Sequence, residues 1–188
     1  NSVASNVYNK LLYGEDHIFA YPTSGTVASV EGISMEDLKE YYDSNFSPSV
    51  SKFHIVGKID KTAVLKELKD LEANWKAKEV TIPEYAITDN RDKSSLYFVD
   101  IPDAKQSVIN IGYIGMARTD KDFYPAEVMN YKLGGSFSGN VNLILREEKG
   151  YTYGARTNFS GTKIPGTFTA YSSVRTNTTG ESVQIFKE

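Results

Sequence analysis

The sequence predicts an α+β protein of two incomplete layered domains, each with a mixed, largely antiparallel sheet and helices on one face. Two observations favour this class: apolar residues recur at helical spacing in several segments, and short apolar runs typical of strands alternate with those segments. A third observation divides the chain. Residues 76–92 are polar, contain Pro83 and follow neither period, so they indicate a linker between residues 1–75 and residues 93–188.

The first half contains three predicted helices and one predicted strand. A short N-terminal helix ends at Gly14, because glycine readily adopts the left-handed conformation that closes a helix. Ser34 and Asp37 resemble a capping box that opens the second helix. Asp60 is placed to cap the third helix. Between the second and third helices, the apolar residues 53–56 indicate a strand.

The second half predicts further strands around a helical segment. Residues 95–101 and 107–116 are expected to form two strands, and the second is apolar on both faces, so it is expected to be central in its sheet. Pro125 suits the first turn of a helix. Residues 166–174 indicate another strand, with Phe168, Ala170 and Val174 facing inward, and a last helix begins at Thr179. Since the sequence stops early in that helix and starts without methionine, we expect a piece of a longer protein.

Composition indicates a folded protein and excludes several classes. Of the 188 residues, 40% are hydrophobic and 12% are aromatic, which argues against disorder. The net charge is −3 and no basic run with interleaved aromatic residues is present, so no nucleic-acid partner is expected. No apolar run is long enough to span a membrane. With no cysteine, disulfides and thiolate metal sites are excluded.

The stretch 133–154 combines two helices, a glycine turn and a strand. The glycine pair at 134–135 is expected to close the first helix through left-handed φ, and Gly150 ends the second. The strand that follows is predicted to place alternate side chains on one face: Tyr151, Tyr153, Ala155, Thr157 and Phe159. This order puts Arg146 near a helix end and Tyr153 early in a strand. A guanidinium and a phenol held there could both donate to one carbonyl or oxyanion.

Arg146 and Tyr153 each have a purely structural interpretation as well. Arg146 could be a helix-end arginine neutralised by Glu147, by Glu148 or by a carbonyl group. Tyr153 could be one of 13 tyrosines, packed on a sheet. On spacing alone the structural interpretation is favoured for both residues.

The order of glycines, arginine and tyrosine is similar to the second-domain signature of the pitrilysin/insulinase family of zinc peptidases, a Gly-Gly turn followed by Arg-Glu-x-x-Gly-x-x-Tyr. Here the signature runs from the pair at 134–135 through Arg146 to Tyr153. One departure is Gly139-Asn140-Val141, where family members often carry Ser-Arg-Leu. The segment 46–60 also resembles the end of the family's first domain. The resemblance implies that residues 1–75 close a first domain and that residues 93–188 are most of a second, C-terminally truncated domain of the pitrilysin-like metallohydrolase type.

The resemblance implies zinc-dependent hydrolysis of peptides or unfolded protein segments. In this family an inverted His-x-x-Glu-His motif and a downstream glutamate bind zinc, and a zinc-bound water attacks an extended peptide clamped between two domains. Neither His17 nor His54 lies in such a motif, so we expect this chain alone to be inactive and to bind no metal. The zinc-binding half would lie in the same polypeptide or on a partner subunit. Arg146 and Tyr153 are then implied as catalytic and substrate-binding donors.

Two further functions stay open at this point. The chain could be a non-catalytic partner subunit, since some relatives have lost the metal motif. It could also be a peptide-binding homologue that uses a sheet edge. A possible dimer and a periplasmic or cell-envelope location are expectations from the family alone.

Overall fold

The computed structural model describes residues 2–86 and 92–188. The chain divides into two compact units: one is formed by residues 24–84 and the other by residues 1–23 together with 85–188. Part of the predicted linker, at 87–91, lies outside the described residues. The assignment of residues 1–75 and 93–188 to two domains of a family stays a prediction.

The helices and strands of the described residues have the following bounds. The α-helices are α1 (Ser2–Tyr13), α2 (Val27–Glu31), α3 (Met35–Asn45), α4 (Lys61–Asn74), α5 (Phe123–Asn130), α6 (Asn140–Asn142) and α7 (Thr179–Lys187). Two π-helices, Tyr131–Gly135 and Leu143–Glu148, continue α5 and α6. The strands are β1 (Gln106–Ile114), β2 (Thr152–Gly161) and β3 (Pro165–Arg175). None of the described helices is both long and apolar enough to cross a bilayer.

The unit of residues 24–84 is helical, and the predicted caps of α3 and α4 are present, whereas α2 and its cap Thr26 were not predicted. Asp37 N donates to Ser34 Oγ at 3.2 Å, and Ser34 N donates to the Asp37 carboxylate at 2.7 Å, which confirms the capping box of α3. Asp60 caps α4 by accepting a hydrogen bond from Ala63 N at 2.8 Å. The strand predicted at 53–56 is not formed. The described residues of this unit contain no other strand, so its backbone groups have no ladder to join.

A three-stranded antiparallel sheet organises the other unit, with strand order β1-β3-β2. The α+β class is therefore confirmed, but the prediction that β1 is central is wrong, since β3 lies between the other two. Ala170 and Val174 of β3 are buried, as predicted. The strand predicted at 95–101 is not formed either, and two of its apolar side chains, Leu96 and Phe98, are 88% and 82% exposed.

Helices pack against both faces of this sheet, which explains why β1 is apolar on both faces without being central. On one face, the Tyr8 hydroxyl of α1 lies 2.9 Å from Thr169 Oγ1, and Ile114 of β1 joins a small core cluster with residues of α1 and the turn after it. On the other face, Leu145 and Ala155 are fully buried in a second cluster. The prediction of helices on one face of the sheet thus holds for the helices after β1, whereas α1 packs on the opposite face.

A polar cluster attaches α7 to the segment before β2. Lys149 Nζ donates to Glu181 Oε1 at 2.9 Å, and the Tyr151 hydroxyl donates to Glu181 Oε2 at 2.7 Å. Both hydrogen bonds lower the pKa of Glu181, and the one from Tyr151 has the larger effect. The cluster lies at the surface, so it acts as a tie between two elements and not as part of the core.

The pKa of Glu181 makes this tie dependent on pH. Because the folded-state pKa is lowered, its contribution to the free energy of unfolding is fully present above the unfolded value of about 4.3 and is lost as pH falls through the folded value. We expect Glu181→Gln to unfold at a lower temperature than wild type at pH 7, and the difference to shrink as pH falls through the lowered folded-state pKa. Thermal unfolding followed by circular dichroism measures this. Glu15→Gln is the control, because Glu15 makes only a 3.9 Å contact with Lys10. A difference that persists unchanged at pH 3 would contradict the prediction.

Candidate functional site

Arg146 lies in the π-helix that follows α6, and its side chain is 34% exposed. The guanidinium carbon is 4.4 Å from the centroid of the Phe137 ring. Arg146 Nε is also 3.2 Å from Glu147 Oε1, so the predicted pairing with this acidic neighbour is present. This is a cation–π contact, and the five N–H donors of a guanidinium allow Arg146 to serve another acceptor as well.

Tyr153 is exposed because β2 is irregular at this point. The register between β2 and β3 shifts between Thr152 and Ala155. Two residues, Tyr153 and Gly154, therefore lie opposite a single residue of β3, which is a β-bulge. The bulge turns the Tyr153 side chain out of the sheet, and 91% of it is exposed.

The bulge also decides which side chains of β2 face the core. Ala155, Thr157 and Phe159 are buried, as predicted. Tyr151 lies before the strand begins but packs against the same cluster as Ala155, whereas Tyr153 is exposed, so the prediction that they share one face is wrong for Tyr153. The interpretation of Tyr153 as a packed tyrosine is wrong for the same reason. A sequence signal for the bulge was present in Gly154, since a glycine inside a strand often marks one.

Hydroxyl groups fix the backbone of the bulge. Gly154 N donates to Thr152 Oγ1 at 3.0 Å, and the same hydroxyl donates to Ser173 O at 2.7 Å. Ser172 is 1% exposed, and its hydroxyl oxygen lies 3.0 Å from Gly154 O. Because these contacts lie on both sides of Tyr153, the exposed ring stands on a well-held segment of the strand.

The elements that carry Arg146 and Tyr153 share one core. Leu145, next to Arg146, and Ala155, two residues after Tyr153, are both 0% exposed and belong to the same cluster. Between the two side chains themselves, the described residues show no hydrogen bond and no ring contact. The fold thus packs the π-helix of Arg146 against the strand of Tyr153, and the two side chains do not bind each other.

The glycine pair at 134–135 packs closely instead of turning through left-handed φ, so that part of the prediction is wrong. A Cβ on Gly134 would lie 2.6 Å from Val141 Cγ2 and 2.8 Å from Thr157 N, closer than real Cβ atoms come. Gly134 therefore lets the first π-helix lie directly on β2. Gly150, by contrast, has φ of 63° and ends the second π-helix, as predicted.

The described residues do not fit a zinc site. His17 is 4% exposed, its Nδ1 accepts a hydrogen bond from Phe19 N at 3.0 Å, and its ring stacks on Tyr13 at 4.9 Å. His54 is exposed in the unit of residues 24–84. Within residues 2–86 and 92–188, no three side chains of the ligating types lie together as a candidate metal site. A catalytic zinc needs three protein ligands and an open position.

The family profile described as peptidase M16 inactive domain matches residues 32–188. The chain belongs to this family. The resemblance to the pitrilysin/insulinase zinc peptidases is thereby confirmed, and the M16 match includes both Arg146 and Tyr153.

Two curated proteins of Bacillus subtilis are similar to this M16 chain. It is 23% identical over 180 residues to the uncharacterized zinc protease YmxG, covering 94% of this chain and 42% of the relative. It is 25% identical over 174 residues to the probable inactive metalloprotease YmfF, covering 90% and 39%. The chain thus spans about two fifths of the length of these relatives.

A solved structure, the peptidase M16 inactive domain from Pseudomonas fluorescens, has the same fold. Its TM-score is 0.85 at 22% identity, and the match covers 98% of this chain and 45% of that one. At this identity the likeness speaks for the fold alone.

Sequence reasoning missed two residues that contact the M16 signature. Phe137 was not singled out, although it forms the surface on which Arg146 lies. Asn142 was also missed, and it is 2% exposed. A signal for Asn142 existed, because an amide stands between the apolar residues Val141 and Leu145, where a polar group needs partners.

Proposed function

We propose that this chain supplies substrate-binding donors to a zinc-dependent endopeptidase that hydrolyses peptides or unfolded protein segments. The observation that carries the proposal is the phenol of Tyr153, which is 91% exposed on a backbone fixed by the bulge. A large aromatic ring held in solvent on a rigid strand has no packing role, whereas a rigidly held donor suits a binding site. The peptidase class is supported by the family match.

Arg146 and Tyr153 would donate hydrogen bonds to a carbonyl oxygen of an extended peptide. The guanidinium brings a permanent positive charge and several donors, and the phenol brings one O–H. As the carbonyl carbon becomes tetrahedral, its oxygen gains negative charge, and both hydrogen bonds strengthen. A donor placed for that oxygen lowers the activation free energy by about 3–4 kcal/mol.

The zinc ion would come from outside this chain, either from another part of the same polypeptide or from a partner subunit. The misfit of the described residues to zinc supports this, and the relative YmxG carries the name zinc protease. This chain by itself would then be inactive. A periplasmic or cell-envelope location is part of the proposal and rests on the family alone.

A second function has its own support. The matched family is described as an inactive domain, and YmfF is named a probable inactive metalloprotease. A non-catalytic partner subunit, or a peptide-binding homologue without a zinc site, would need the same fold and no metal.

A pull-down from the source cell decides between these two functions. The native protein is captured with an antibody against this chain, analysed by mass spectrometry, and incubated with unfolded β-casein. We expect a polypeptide with His-x-x-Glu-His in the captured material, and cleavage that 1,10-phenanthroline stops and added Zn²⁺ restores. The 188-residue chain alone is the control and should not cleave. Captured material without that motif and without cleavage would favour the non-catalytic subunit.

A further inference from the structure

A single buried amide connects the surroundings of Arg146 to those of Tyr153. Asn142 ends α6, four residues before Arg146, and is 2% exposed. A buried amide is costly unless its donor and its acceptor are both used. Both ends of this one are used, and they reach two different parts of the site.

The acceptor end of the amide holds the bulge. Asn142 Oδ1 accepts a hydrogen bond from Ala155 N at 3.0 Å. Ala155 is the residue at which regular pairing with β3 resumes after Tyr153 and Gly154. This bond therefore attaches the C-terminal end of the bulge to α6.

The donor end of the amide holds the residue on which Arg146 lies. Asn142 Nδ2 donates to Phe137 O at 2.7 Å. The Phe137 ring is the surface beneath the Arg146 guanidinium, at 4.4 Å. Phe137 itself is 54% exposed, so little packing fixes it and this hydrogen bond matters more to its position.

We propose that Asn142 is a positioning residue that sets the spacing between Arg146 and Tyr153, an inference that rests on the proposed function. Only an amide of this length offers an acceptor toward Ala155 N and a donor toward Phe137 O at once. Truncation at this position frees both the bulge and the phenylalanine, while Arg146 and Tyr153 keep their own side chains.

The chain offers a matched control in Asn130. This amide is 5% exposed, its Nδ2 donates to Thr157 O at 3.0 Å, and its Oδ1 accepts from the Thr157 hydroxyl at 2.5 Å. It therefore also ties a helix to β2, but beyond the bulge, and it makes no hydrogen bond with Phe137. A purely structural role predicts similar consequences for the two truncations.

The first test compares Asn142→Ala with Asn130→Ala in the complete protein, assayed for β-casein cleavage well below the unfolding temperature of either variant. We expect Asn142→Ala to lower kcat up to about 100-fold with a smaller change in KM, because displaced donors lose transition-state contacts. Asn130→Ala should keep its kcat. If Asn142→Ala does not fold, Asn142→Ser and Asn130→Ser take their place.

The second test reads the geometry without activity. In the 188-residue chain, the Phe137 ring current displaces the NMR resonance of the Arg146 Nε–H group, which is assigned by its absence in Arg146→Lys. We expect Asn142→Ala to move this resonance toward that of a free arginine and Asn130→Ala to leave it in place.

The outcomes separate this inference from the proposed function. If Arg146→Ala lowers kcat but the two asparagine variants have equal kcat, the positioning role is overturned and the proposed function stands. If Arg146→Ala leaves kcat unchanged, the proposed function fails and the NMR comparison decides alone. In that case an unmoved resonance in Asn142→Ala overturns the inference, and a moved one supports it.

Discussion

Arg146→Ala should lower kcat of the complete protein by about 100- to 1,000-fold, the usual loss when one donor to a tetrahedral intermediate is removed. The residue is one-third exposed and makes a stacking contact and one ion pair, so the variant should still fold. Arg146→Lys keeps the charge but loses the planar set of donors, and it should recover only part of the rate. Initial rates of β-casein cleavage over a range of substrate concentrations give kcat and KM separately.

Two companion variants make this result specific. Tyr153→Phe removes only the hydroxyl and should also lower kcat, because a donor is lost. The ring and the bulge are unchanged, so the loss would be specific to that donor. Arg118→Ala is the control, because the guanidinium carbon of Arg118 lies 5.4 Å from the Phe123 ring centroid, a cation–π contact outside the signature. Wild-type kcat in both Arg146→Ala and Tyr153→Phe would end the proposal that these residues act on substrate.

Gly134→Ala should cause a large loss of stability, about 3 kcal/mol in the free energy of unfolding. The added methyl group would press on a side chain of α6 and on the backbone of β2 at Thr157, and a backbone in a sheet cannot move aside. Urea unfolding followed by circular dichroism measures the change. The substitution would also part the π-helix from β2, so the site should suffer with the fold.

Gly180→Ala is the matched control for that measurement. A Cβ on Gly180 in α7 would meet nothing within 4 Å, so only the helix preference of alanine remains. We expect a gain of about 0.5–1 kcal/mol. If both alanine variants changed stability in the same direction by similar amounts, close packing at Gly134 would not be the reason for its glycine.

Local chemistry made several helix ends predictable from sequence. The capping box of α3 and the left-handed glycine that ends the second π-helix are decided by residues within one turn of each other. The strand at 166–174 was also predictable, because its alternating apolar side chains match the buried positions Ala170 and Val174. In each case the signal and the structure lie in the same short segment.

Strand pairing was not predictable in the same way. Residues 53–56 and 95–101 have strand-like composition, yet neither forms a strand here, because a strand also needs a neighbour that the local sequence does not specify. The error about β1 has a related origin. Apolar residues on both faces indicate that both faces of a strand are covered, which helices do here. They do not say whether the strand has a neighbouring strand at each edge.

The candidate site was predictable in its residue types and not in its geometry. The order of glycines, arginine and tyrosine pointed to Arg146 and Tyr153, but periodicity placed Tyr153 on the same face as Ala155. One extra residue in β2 reversed that orientation. The contact of Arg146 with Phe137 spans nine positions across a turn, and no pattern in the sequence marks it.

The π-helix that contains Arg146 has a consequence for insertions and deletions. Its hydrogen bonds skip one residue more than those of an α-helix, as Lys149 N to Ile144 O at 3.0 Å shows. Loss of one residue from this turn would restore ordinary helical winding and rotate the residues before it by about 100° relative to those after it. Arg146 would then lose its contact with the Phe137 ring. Neighbouring apolar residues of the helix could take over the packing against the core. A deletion of one residue here would thus remove Arg146 from the candidate site while the fold is kept.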